Sequence, residues 1–140
     1  MGKRKLRQLI LNPTTDQIYL QKEYNITNYI KQHYETFEYL RKEFIQFQDI
    51  EKLYRKIILN QVCPCELTQF YNNLKSIKKI HKTLQKDNTI MNYLQLTNIT
   101  QICIQLMKEL QSNIKLTVAQ KVNTVKFDKN IFKHGIFNSL

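Results

Sequence analysis

The chain has 140 residues, 42% of them hydrophobic, with only two Gly and two Pro. That is enough for one domain with a modest core; it excludes wholesale disorder and argues against a sandwich or barrel, whose many tight turns draw on Gly, Pro or Asn. Lys and Arg number 22 against 11 Asp and Glu, a net charge of +11, which favours polyanionic partners such as nucleic acid or an acidic membrane surface.

The first boundary is Asn12-Pro13. Thr14 and Thr15 follow as candidate N-caps, with Asp16 and Gln17 in a first turn, where such groups satisfy free backbone N–H donors. A helix is expected from there to about His33. From Glu35 to Phe47 a second stretch puts Phe37, Leu40, Phe44 and Phe47 on one face, and the two stretches can form one long, bent helix. Asp49 is a plausible N-cap for the next helix. Ile50, Leu53, Tyr54, Ile57 and Ile58 make its apolar stripe, with Glu51, Lys52, Arg55 and Lys56 outside it. Pro64 lacks a backbone donor and suits a first helical position. It opens the longest predicted helix, to about Lys86, with Leu67, Phe70, Leu74, Ile77 and Leu84 on its buried face.

Asp87, Asn88 and Thr89 end that helix. A short segment, Ile90 to Leu96, leads to Thr97 or Asn98 as the next cap, and Ile99, Ile102, Cys103, Leu106, Met107 and Leu110 mark another amphipathic helix. Beyond Ser112 the pattern weakens. Val118, Val122 and Val125 are spaced to continue a helix, and Lys126 to Leu140 reads as irregular or short-strand structure. The expectation is an all-α, elongated multi-helix bundle with an irregular C-terminal segment, forming a single helical domain over 1–140.

Three cysteines fit no paired disulfide framework and point to a reducing, intracellular compartment. Lys3, Arg4, Lys5 and Arg7 precede only a short apolar run, which is no signal peptide. No stretch approaches the ~20 apolar residues of a membrane span, so no membrane partner is expected. Leu6 stands where N-myristoylation after Met1-Gly2 calls for Ser or Thr. A single Ala, Ala119, accompanies abundant Ile, Asn and Lys. Such a bias goes with AT-rich coding, so part of the Lys excess is compositional. By association it suits a viral or organellar source.

Lys75, Lys78, Lys79, Lys82 and Lys86 lie on about a third of the helix circumference. Five ammonium groups in line can follow a phosphate backbone and release its counterions. The alternative is a solvated outer face in a Lys-rich chain, since no aromatic or Arg is interleaved to read bases. Cys63 and Cys65 are one residue apart, Cys103 is expected in the core, and His33, His81 and His134 are scattered. A structural zinc site needs four ligands, usually in two pairs, so no metal is expected. His81 is expected at the boundary of the apolar stripe. No G-x-x-x-x-G-K-[ST] loop and no nucleophile–base pairing occurs, so neither catalytic residues nor a cofactor are expected.

From Phe47 to Ile77 the chain reads FQDIEKLYRKIILNQVCPCELTQFYNNLKSI. This resembles the core-domain signature of MutS, the DNA mismatch-recognition ATPase family, at Asp49, Ile50, Glu51, Leu53, Lys56, Ile57, Pro64, Glu66, Leu67, Leu74 and Ile77. Lys52 stands where the family commonly has Arg. Upstream, Leu11-Asn12-Pro13 with Asp16, Lys22, Ile26 and Ile30 is similar to the family's entry to the same domain, with Lys22 in place of an Arg and Tyr19 in place of an Ile. Downstream, Asn130 to Leu140, including Gly135, is similar to the segment that leads into the DNA-gripping clamp, with Ser139 in place of a Glu.

The resemblance implies the first half of the MutS core or lever domain, ending at the start of the clamp. It implies a non-catalytic connector between ATPase and clamp. Its partners would be DNA, contacted weakly and without sequence preference, the other domains of a MutS-like parent, and a second subunit in that parent. The family's mismatch-probing Phe-x-Glu and its Walker ATPase belong to other domains; neither motif is in this sequence. Two other readings stay open: an independent basic helical nucleic-acid-binding protein acting through the lysine stripe, and a helical protein–protein adaptor, whose mark is an exposed apolar stripe.

Overall fold

The computed structural model describes residues 3–95, 98–128 and 130–133. Among these the regular structure is helical: α1 (Lys3–Leu11), α2 (Gln17–Gln32), α3 (Tyr34–Ile45), α4 (Ile50–Ile58), α5 (Pro64–Leu84), α6 (Asn88–Leu94), α7 (Ile99–Asn113) and α8 (Leu116–Ala119). The all-α expectation holds, and among the described residues the one β feature is an isolated antiparallel bridge between Ile114 and Phe132.

Local chemistry sets the helix ends. Asp16, rather than Thr14 or Thr15, caps α2: its Oδ1 accepts from Tyr19 N at 3.0 Å, while Thr14 Oγ1 accepts from the Asp16 amide at 3.2 Å. The expected caps Thr14 and Thr15 thus lie two residues and one residue too early, because a carboxylate at the same boundary is the stronger acceptor for helix N–H groups. α2 and α3 are separate helices, not one bent helix. His33 closes the first and precedes the second with φ −110° and ψ 31°, outside the helical well. Asp49 caps α4 as expected, accepting from Lys52 N at 3.0 Å.

α4 ends in a Schellman arrangement. Asn60 takes φ 54°, its amide reaches Ile57 O at 3.1 Å, and Gln61 N reaches Lys56 O at 2.8 Å. Asp87 does more than end α5: it caps α6, accepting from Ile90 N at 3.1 Å. α1 was not legible as a helix, and none of its residues is buried.

The chain divides into two compact units. The first comprises the segment up to Phe47 and the segment from Leu84 through α6. Its buried residues are Ile26, Phe37 and Ile90, packed by Tyr29, Leu40, Leu84 and Tyr93. Polar tyrosine contacts tie α2 to α6. Tyr29 Oη donates to Asp87 Oδ2 at 2.9 Å, and Tyr93 Oη donates to Glu23 Oε1 at 2.5 Å. The Glu23 bond holds the Tyr93 phenol in its neutral form and pushes its pKa up to about 12, with burial adding to the effect. Two open apolar grooves remain in this unit. One of about 780 Å³ lies among Ile18, Lys22, Ile26, Tyr29 and Tyr93; one of about 490 Å³ lies among Ile30, Tyr34, Phe37, Phe44 and Ile45.

The second unit runs from Gln48 to Thr83 and resumes after α6. Its core joins Ile114, Ala119, Val122 and Ile131, with Leu67, Leu110, Leu116, Val118, Phe127 and Phe132 packed around it. The stretch after α8 is irregular but tightly bonded. Lys115 N donates to Ile131 O at 2.7 Å, Lys133 N to Asn113 O at 3.0 Å, and Cys65 N to Val122 O at 3.0 Å. These bonds satisfy backbone groups that a helix or sheet would otherwise satisfy, which lets a non-helical segment be buried. Val118, Val122 and Val125 do not extend one helix: α8 stops at Ala119, Val122 enters the core, and Val125 is exposed.

Candidate functional site

The positions singled out by the motif converge on the α4–α5 connection. Pro64 is the first residue of α5, where its missing N–H costs nothing. Glu66, in the same first turn, does two things. Its Oε2 accepts from the Cys63 amide at 3.0 Å, the reciprocal half of a capping box, and its Oε1 pairs with Lys56 Nζ at 2.5 Å. Burial disfavours the charged carboxylate, but Lys56, the Cys63 amide and the charge of Lys52 outweigh it, so its pKa is lowered. Lys56 is raised in turn, chiefly by its bond to Glu66.

Leu53 and Leu74 are buried and Leu67 packs on the second unit's core. Asp49 caps α4. The arrangement is therefore a clasp: cap, ion pair and apolar anchors fix one helix–turn–helix. Gly135 and the other positions from His134 on lie outside the described residues.

Sequence periodicity misjudged which faces these helices bury. On α4 only Leu53 is buried, at 3% exposure, whereas Ile50 is 43%, Tyr54 64%, Ile57 46% and Ile58 60% exposed. The expected core stripe is instead an exposed apolar stripe: of its residues only Leu53 is covered, at the edge of the stripe nearest Lys56, which pairs with Glu66. On α5, Phe70, Ile77 and Leu84 are only half-buried, while Thr68, Tyr71, Asn73 and His81 are buried beside Leu74.

Polar partners explain that rotation. Thr68 Oγ1 donates to Leu116 O at 3.3 Å, Gln111 Nε2 donates to Tyr71 Oη at 2.6 Å, and His81 Nδ1 shares a hydrogen bond with Thr100 Oγ1 at 2.7 Å. His81, expected at a boundary, is only 4% exposed. An apolar-periodicity reading has no means of finding such residues, since it counts them as surface.

Lys75, Lys78, Lys79 and Lys82 are all exposed on α5. Lys75 Nζ stands 4.6 Å from the centroid of the Tyr71 ring, a cation–π contact. Lys86 lies in the turn beyond α5, which ends at Leu84 rather than near Lys86, so it does not extend the same helical stripe. Cys63 and Cys65 are half-buried free thiols, and burial raises the Cys103 thiol. Among the described residues, no three His, Cys, Asp or Glu side chains gather in a metal-binding group. No described helix is long and apolar enough to cross a membrane.

Residues 1–134 match the family model for MutS domain III. Over its full length the chain is 21% identical to the DNA mismatch repair protein MutS of Petrotoga mobilis and covers 16% of that protein. It is 24% identical over 143 aligned residues to a putative DNA mismatch repair protein mutS homolog of Acanthamoeba polyphaga mimivirus, again over its full length, and covers 12% of it. A stretch of 80 residues, 57% of the chain, is 32% identical to the MutS protein of Parabacteroides distasonis and covers 9% of it. The chain thus spans less than a fifth of these curated relatives. No solved structure gives a significant match.

Proposed function

The chain belongs to the MutS domain III family, and from that membership we propose that it serves as a non-catalytic lever segment of a MutS-like DNA mismatch repair protein, linking an ATPase to a DNA clamp. The observation that carries this reading is the fate of the signature residues. Asp49, Lys56, Pro64 and Glu66 are spent on capping and clasping two helices. Residues that fix a helix–turn–helix serve stiffness and not chemistry. A hydrogen-bonded helix resists bending, so α5, at 21 residues, is suited to carry displacement between distant sites.

The exposed stripe on α4 supports the same reading. Ile50, Tyr54, Ile57 and Ile58 form a contiguous apolar face of the kind that protein surfaces reserve for packing against further protein. In the lever reading that face packs against other domains of the parent. It is also the mark of an adaptor, for which the face would meet a separate protein. On either reading the chain itself takes no cofactor and binds no nucleotide.

Calorimetric titration with ATP and magnesium tests the non-catalytic claim. The expected result is no saturable heat and no phosphate release, because among the described residues no backbone nest is followed by a Lys-Ser/Thr pair to hold phosphates and metal. Saturable binding by the purified chain contradicts it.

A further inference from the structure

We propose that the outer face of α5, built on Lys75, Lys78, Lys79 and Lys82, is a docking strip for the phosphate backbone of a nucleic-acid duplex. No Asp or Glu occurs from Leu67 to Lys86, so along this face no carboxylate of α5 itself offsets the lysines. The four lysines are exposed. At 100° per residue they occupy about a third of the circumference, and from first to last they cover about 10 Å of helix axis. A duplex presents one negative charge per about 1.7 Å of its axis, so a strip of that length meets several phosphates at once.

Two features distinguish the strip from a merely solvated face. Lys75 is held in place: its ammonium sits over the Tyr71 ring, and Tyr71 is buried and itself held by Gln111 Nε2. A cation fixed before contact loses less side-chain entropy on binding than one on a free stem. Asn72, which is exposed, flanks the lysines at the next sector of the helix. A neutral amide beside cations is a side chain that bonds phosphate oxygens.

The same composition argues against a lipid surface. A membrane-binding helix face sets apolar residues between its cations to enter the acyl boundary, and here the neighbours are Asn and Thr. Lysines are point charges that do not discriminate base edges, so the strip holds a duplex without reading its sequence. The proposal rests on the surface of α5 alone and stands or falls separately from the lever reading.

The test is fluorescence anisotropy of the full 140-residue chain with a labelled DNA duplex of about 20 base pairs, two helical turns, across a salt series. Replacing the four lysines with Gln keeps helix propensity and removes the charge. At about 0.9 per phosphate contact, the slope of log affinity against log salt is expected to fall by up to about 3.6. The Arg quadruple variant is expected to keep the slope. A control that removes four cations elsewhere (Lys3, Lys5, Arg7 and Lys31 to Gln) is expected to change it by less than about 1.

Far-UV circular dichroism establishes that each variant keeps its helices. Equal losses in the strip and control variants overturn the proposal, since binding then follows net charge alone. An unchanged slope in the Gln quadruple overturns it as well. Polyglutamate displacing the duplex as effectively as unlabelled DNA also overturns it, by assigning the strip to acidic protein.

Discussion

The unit around α2, α3 and α6 buries Ile26, Phe37 and Ile90 and depends on tyrosine hydroxyls bonded to Glu23 and Asp87, with open grooves on its flanks. The unit around α5, α7 and α8 packs Ile114, Ala119, Val122 and Ile131 together and seals a non-helical segment with backbone bonds. Both arise from the same composition, rich in Ile, Lys and Asn and nearly devoid of Ala. The difference lies in how their polar groups are used. In the first unit side-chain hydrogen bonds bridge helices across thin apolar contact; in the second, side-chain bonds between α5 and α7 are joined by backbone bonds that tie a loop into a continuous core. The second is therefore the firmer of the two, and the first the more open to further packing partners.

The sharpest way to break that comparison is to cut one core residue in each unit. Ile131→Ala, at 2% exposure, is expected to cost about 4 kcal/mol, and Ile26→Ala, at 8% exposure, about 2 kcal/mol, within the range for Ile truncation in a core. Urea unfolding checks both, and a larger cost at Ile26 reverses the ranking. Next in size, Asp87→Ala removes both the cap of α6 and the acceptor for Tyr29. The expected loss is about 1 to 2 kcal/mol, from the lost cap. It is read as faster amide exchange in α6 with the α5–α7 amides unaffected.

A smaller effect concerns the clasp. Glu66 has a lowered pKa in the folded chain, so its contribution is present above its ordinary value of 4.5 and is lost as pH falls through the depressed folded value. Glu66→Gln is expected to cost about 1 kcal/mol at neutral pH, the pair being partly exposed. The variant and the parent chain should converge in acid; a constant gap down to low pH contradicts the assignment. The smallest effect is expected on α4. Ile57→Lys, on the exposed stripe, should change stability by less than about 0.5 kcal/mol, whereas Leu53→Ala, four residues earlier on the same helix and buried, should cost about 3 kcal/mol.

The helical architecture was legible because turn formers are scarce and caps are explicit. Asp49 and Pro64 mark helix starts by local chemistry alone, with no tertiary help. Burial was less legible. Periodicity places Ile50, Tyr54, Ile57 and Ile58 on one face but does not say whether anything covers it. Tyr71, Thr68 and His81 are buried because Gln111, Leu116 O and Thr100, 19 to 48 residues away, supply partners. Such distant pairings leave no periodic trace. The ion pair of Lys56 with Glu66 was present in the sequence as two motif positions, but its meaning as a clasp required the turn at Asn60 that brings them together.

The lever account places mismatch recognition and nucleotide chemistry outside this chain, and one binding measurement tests that most directly. Anisotropy titrations compare a fully paired duplex with one carrying a single mismatch, each with and without ATP and magnesium. The account predicts no difference in affinity among the four conditions, because it assigns mismatch probing and nucleotide binding to other domains of the parent, and contacts to backbone phosphates alone do not read base pairs. A preference for the mismatched duplex, or an affinity that shifts when ATP is added, contradicts it.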